Sequence, residues 1–209
     1  MQAKGERVVD YPLPYGKQAP LFPAILREMF FLGIDPQKGG IILNIICSVT
    51  LCGVVWSCCR HLGINDFWSL FSAFLVGVHP ELVRCSHELQ RESIYLLFEG
   101  ITIYMVIVNI LSASPRERFL SALGFGSAGA IAVATRYEAL ELLVISLVCH
   151  LYVIVQKKQY ALRYILERAM YLFTMTASWL ITLIIVLRLS NYPALLFFKI
   201  LISHLKKIE

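Results

Sequence analysis

What most limits the fold of this chain is a succession of apolar runs separated by short polar connections. They occupy 41–56, 67–78, 93–111, 119–134, 139–155 and 169–187. In hydrocarbon a backbone must satisfy its own hydrogen bonds, and a segment that does so alone is a helix. The apolar character is spread along the chain rather than gathered in one anchor: 58% of the residues are hydrophobic and 16% charged, with a mean hydropathy of +0.69. A soluble domain is excluded on those grounds. The expected fold is all-α: a polytopic transmembrane bundle of about six spans, forming a single membrane domain. Within it, 1–40 makes an outer-face loop with a short amphipathic surface helix, 41–189 the bundle, and 190–209 a tail.

Residues 1–10 are polar and lack the apolar core of a signal peptide. Pro12, Pro14, Pro20 and Pro23 forbid a regular helix over that stretch. The following AILREMFFLG predicts an amphipathic helix on the membrane surface, ended by Gly33. Asp35-Pro36 reads as a turn, and Gly39-Gly40 as a break before the first span. Asn65-Asp66 predicts the cap of the second span, 67–78. That run is short for a crossing, which needs about 20 residues, and it closes at His79-Pro80. Gly124, Gly126, Ser127, Ala128, Gly129 and Ala130 in the fourth run predict close helix contact. A further run, 194–205, ends in Lys206-Lys207. The six cysteines form no metal-binding pattern and read as small buried hydrophobes.

The net charge of +5 does not point to nucleic acid, because the basic residues fall mostly between apolar runs, where they set topology. Arg60, Arg116, Arg118, Lys157, Lys158, Arg163 and Arg168 fall in alternate connections, against Arg84, Arg91 and Arg136 in the others. The positive-inside rule places the first group in the cytoplasm. On that reading 1–40, 79–92 and 135–138 meet on the outer face, with Cys85 outside and Lys157 inside.

Three polar clusters would converge there: Asp10, Tyr11, Tyr15 and Lys17; then His79, Glu81, Arg84, His87, Glu88, Arg91 and Glu92; then Arg136-Tyr137-Glu138 with Glu141. On one helix Glu88, Glu92 and Glu99 would share a face. Carboxylates such as Glu92 and Glu88 suit a general base or a divalent metal, although the histidine spacing supports no metal site. Arg136, and after it Arg84 and Arg91, suit a phosphate, through a fork of donors and a permanent charge. Each residue also has a plainer reading. Glu88, Arg91 and Glu92 would pair in a solvated loop, Arg136 would pair with Glu138, and the histidines would be structural. Glu99 is open between a role in the site and a buried pair with Arg188, the latter fitting a small transporter or a non-catalytic bundle subunit. A transporter would more often show paired repeats, and none is visible.

At these residues the chain resembles the GT-C glycosyltransferases, in particular the bacterial membrane proteins similar to dolichyl-phosphate-mannose:protein mannosyltransferases (glycosyltransferase family 39-like). QAPLFPAILREMFFLGIDP resembles that family's proline-rich "PPLYP" entry into an amphipathic helix. HPELVRCSHELQRESIYLLF resembles its "NPxLxxxSxxxxxExLYLLL" segment, with Pro80, Ser86, Glu92, Tyr95 and Leu96 in register. AVATRYEALELLVI resembles "LxxLTRPEGLLLLL", with Thr135, Arg136 and Glu138 in place and Tyr137 where proline is usual. The resemblance implies a polyprenyl-phosphate sugar donor and inverting transfer to an acceptor on the outer face of a bacterial inner membrane. The family begins with another span and a loop bearing its acidic base, and it continues beyond the sixth span seen here. The expectation is therefore a central piece of such a transferase.

Overall fold

A computed structural model describes residues 19–156 and 162–190. Among these the secondary structure is helical, with no strand. Residues 1–18, with the first of the three polar clusters, lie outside the described residues, as do Lys157, Lys158 and the run 194–205.

Helix α1 (Leu21–Phe31) admits Pro23 because it sits in the first turn, where a missing N–H costs no helical bond. Its end is fixed by Gly33, whose φ of +75° is a left-handed conformation that glycine adopts without a Cβ penalty. Asp35 then caps α2 (Pro36–His61), its Oδ1 accepting from Gln37 N at 2.9 Å, with Pro36 at the first position. Gly39-Gly40 is not a break. Both glycines lie inside α2 and are buried, because a Cβ on Gly39 would stand 2.9 Å from Met29 Sδ and one on Gly40 would run into Leu89. These are close-approach glycines, and α2 starts five residues before the expected 41.

Asn65 caps α3 (Asp66–Gly77) as expected, accepting from Trp68 N at 3.0 Å. At 12 residues α3 covers about 18 Å and cannot cross alone. After the turn at His79-Pro80 the chain continues as α4 (Pro80–His87). Gly77 packs beside Cys52 of α2, and Asn44, nearer the start of α2, donates to Glu88 O and Gln90 O just beyond α4. So α3 and α4 together run back along α2. Five helical stretches are long and apolar enough to span by themselves: α2, α5 (Glu92–Leu111), α6 (Pro115–Thr135), the segment Tyr137–Val155 that takes in α7 (Glu141–Gln156) up to its last residue, and the Ile165–Leu189 part of α8 (Leu162–Leu189). The remaining expected span, 67–78, is the shorter apolar helix α3.

α6 is the centre of the bundle. Its small residues let α5 and α8 approach its backbone: a Cβ on Gly126 would meet Met175 O at 2.6 Å and Trp179 N at 2.7 Å, and one on Gly124 would meet Met105 Sδ at 2.9 Å. Ala122, Ala130, Ala132, Val133 and Ala134 are fully buried. This is the close packing expected of small residues where hydrocarbon offers no hydrophobic drive to associate. Leu21, Ala24 and Met29 of α1 and Val186, Leu189 and Ser190 at the end of α8 line one apolar cleft, so both termini of the described chain lie at the same end of the bundle.

Candidate functional site

That end also carries the polar cluster. α6 stops because Arg136 leaves helical geometry (φ −147°, ψ 130°), its N–H donating to Ala132 O at 2.8 Å. A 3₁₀ turn, Tyr137–Leu140, then leads into α7. The guanidinium stands at the C-terminus of one helix and Glu92 in the first turn of another, and each position suits its charge.

Arg136 Nη1 lies 4.0 Å from Glu92 Oε1, and Nη2 lies 3.3 Å from Glu138 Oε1. The guanidinium carbon is 5.2 Å from the centre of the Tyr95 ring, a cation–π arrangement. On its other side Glu92 has Arg91 Nε at 4.0 Å. The Arg136 and Glu92 side chains are each 31% exposed, so the pair is open to a ligand while partly desolvated. The hydrogen bond to Glu138, reinforced by the charges of Glu138 and Glu92, holds Arg136 above even its usual high pKa, so it is a permanent cation. Tyr95 and Glu99 follow one and two turns further along α5.

The sequence-predicted residues therefore divide. Arg136, Glu92 and Arg91 come together, and Glu138 with them. Arg84 does not join them in any ion pair among the described residues; it pairs with Glu81 at 2.7 Å on the exposed side of α4. Glu88 is close in sequence but is not on α5. It caps the end of α4 with extended backbone (ψ 153°), and its carboxylate accepts from Gln90 Nε2. The expected common face of Glu88, Glu92 and Glu99 is thereby broken. The cause is Asn44, whose amide takes the Glu88 and Gln90 carbonyls at 2.8 and 2.7 Å and keeps 88–91 from continuing a helix. His87 Nδ1 lies 2.6 Å from Val83 O within its own helix. Among the described residues no three His, Cys, Asp or Glu side chains form a group able to hold a metal ion. Glu92 faces guanidinium groups, and Glu88 an amide, rather than each other. These residues do not fit a divalent cation.

The Glu99–Arg188 pair expected of a transporter or bundle subunit is not among the ion pairs of the described residues. Arg188 is exposed at the end of α8. Sequence reasoning missed a second polar group at the opposite end. Asn109 donates to Arg118 O at 2.7 Å and Ser121 Oγ at 3.0 Å, His150 bonds Ser146 O at 2.8 Å and Asn109 Oδ1 at 3.2 Å, and Arg118 pairs with Glu167 at 2.5 Å. Arg168, placed by sequence in a basic loop, is only 1% exposed within α8. The available signal was that Asn109 and His150 are lone polar residues in apolar runs, where a polar group is costly without a partner.

The arrangement offers two cations for an anionic group and a carboxylate able to take a proton. A family model described as dolichyl-phosphate-mannose-protein mannosyltransferase matches residues 17–187. No curated protein and no solved structure matches the chain.

Proposed function

The chain belongs to the dolichyl-phosphate-mannose-protein mannosyltransferase family, and from that premise we propose that it moves a sugar from a polyprenyl-phosphate donor to an acceptor hydroxyl at the Glu92–Arg136 end of the bundle. The observation that carries this reading is the 4.0 Å approach of Arg136 to Glu92, between residues 44 positions apart in sequence. In an inverting transfer the acceptor oxygen attacks the anomeric carbon while the bond to phosphate breaks. The acceptor loses a proton and the lipid phosphate leaves with an added negative charge. Arg136, assisted by Arg91, binds that phosphate; Glu92 receives or orients the acceptor proton. Arg84 and Glu88 lie at the periphery of this site. The charge of the connections orients this end outward, in a bacterial inner membrane, with the bilayer and the lipid-linked sugar as partners.

The test is transfer from radiolabelled polyprenyl-phosphate mannose by the full chain in vesicles. Arg136→Ala lowers the rate by about 2–4 kcal/mol of transition-state stabilisation, on the scale of one deleted oxyanion donor. Arg136→Lys restores only part of it, since the planar fork is lost. Glu138→Gln separates this from the plainer role, in which Arg136 only anchors a turn through Glu138: that role predicts equal losses for Arg136→Ala and Glu138→Gln. An Arg136→Ala chain that transfers at the normal rate removes Arg136 from the site.

A further inference from the structure

Two carboxylates hold Arg136, and they hold it differently. Its Nε and Nη2 lie 3.5 and 3.3 Å from Glu138 Oε2 and Oε1. That is the edge of a guanidinium able to make two parallel hydrogen bonds to one anion. Only Nη1 is turned to Glu92, at 4.0 Å. A close charge-assisted bond measures about 2.7–2.9 Å, so the fork to Glu138 is in register but not drawn tight. A phosphate that takes Arg136 through the same edge must displace this carboxylate.

The turn permits that displacement. Tyr137 and Ala139, on either side of Glu138, are 7% and 1% exposed and fix the backbone, whereas the Glu138 side chain between them is 59% exposed. It can rotate into water without moving the turn, and an ion pair so exposed contributes little to stability. Glu92 is less free: it is half as exposed, opens α5 and has Arg91 on its other side. Charge gives Glu138 a second effect. A lipid-phosphate sugar is a phosphodiester with one negative charge. In the transfer the bond from the anomeric carbon to the phosphate oxygen breaks, that oxygen keeps the electron pair, and the acceptor proton passes to Glu92. The lipid phosphate left behind is a monoester of charge about −1.5 to −2 near neutral pH. A neighbouring carboxylate repels it more than it repels the diester.

We infer that Glu138 is an internal anion that makes the phosphate seat on Arg136 selective: it gives up the guanidinium edge to the singly charged lipid-phosphate sugar and reclaims it from the doubly charged lipid phosphate, so that the spent carrier leaves. Glu138 acts on the ligand through Arg136 and is a positioning residue. Its role rests on the proposed function of Arg136 as the phosphate-binding residue.

The test is equilibrium binding of radiolabelled farnesyl phosphate and of its mannosyl diester to the full chain in detergent. Glu138→Gln should tighten the monoester about two- to fivefold more than the diester, the range of one exposed charge pair. Arg136→Ala should weaken both. The ratio of the two affinities does not depend on the folded fraction, so a partly unfolded variant cannot imitate the effect. Glu138→Asp keeps the charge and should keep the wild-type ratio; an Asp variant that behaves like the Gln variant overturns the inference. A wild-type ratio in Glu138→Gln also overturns it and leaves Arg136 as the phosphate residue. So does an equal loss of affinity for both ligands, the result expected if Glu138 only braces the guanidinium. Binding that Arg136→Ala does not change removes the phosphate seat itself, and the inference with it.

Discussion

The two sides of the bundle are built on opposite terms. Around α6 the packing is backbone to backbone, and 61% of its apolar window is buried; in α2 the same fraction is 17%. The difference lies in side-chain size. Glycine, alanine and serine at 121–134 let α5 and α8 close on α6 from two directions, whereas α2 turns Ile42, Ile46 and Val49 outward and meets α5 through larger side chains, Cys47 and Leu51 against Ile94 and Leu97. One side is held by close backbone fit and the other by larger apolar side chains together with clamps such as Asn44. A helix in lipid can be secured either way, but the two respond differently to damage.

The largest effect is expected where shape decides. At Gly126 the added atoms meet backbone, which cannot move aside, so Gly126→Val should cost about 3 kcal/mol, the upper end for overpacking, read as loss of the folded fraction in detergent titration. If Gly126→Val is tolerated, the tight side is not tight. On the clamped side, Asn44→Leu leaves the Glu88 and Gln90 carbonyls without their donor. About 2 kcal/mol should be lost, and faster proteolysis or hydrogen exchange should be confined to 88–92. Uniform loosening would mean that the clamp holds more than its loop.

Much of this contrast was legible in the sequence. The run of small residues after Leu123 announced α6 as a close-packed helix because size is local information. The cap at Asn65 and the stop at His79-Pro80 were equally local. Gly39-Gly40 misled because glycine marks both breaks and close approaches, and only Met29 and Leu89, brought up by folding, decide between them. Glu88 misled for a related reason: its periodicity was helical, but the amide that stops the helix comes from 44 residues earlier. Of the site, Arg136 and Glu92 could be placed together by counting passages. The pairing of Arg84 with Glu81 rather than with the site could not.

A smaller effect concerns Cys85. It is 8% exposed, and burial raises its thiol pKa, so less thiolate is present at neutral pH. Maleimide should modify it roughly tenfold or more slowly than in the unfolded chain, with the rate climbing as pH rises toward the elevated pKa. Rapid labelling at neutral pH would show α4 to be loosely held. A sidedness test therefore needs a reporter at an exposed neighbour such as Glu81, whose side chain is 63% exposed. The smallest effect is expected at Gly53, where a Cβ meets nothing within 4 Å. Gly53→Ala should be neutral or stabilising by up to about 1 kcal/mol. A loss there would reveal a neighbour on the open side of α2.

The Asn44 amide also bears on the order in which the molecule is made. Both of its acceptors are carbonyls, so only its NH₂ edge can face them. α2 leaves the ribosome well before 88–90, since synthesis adds about 5–20 residues per second. A donor is thus already waiting when those carbonyls emerge, and the start of α5 is set by a partner made several seconds earlier. Moving α2 behind α5 in a circularly permuted chain would keep the Asn44 contacts of the finished fold. It would leave 88–91 free during synthesis to extend α5 backward by a turn, with Glu88 brought onto the Glu92 face as a simple reading of its periodicity would have it.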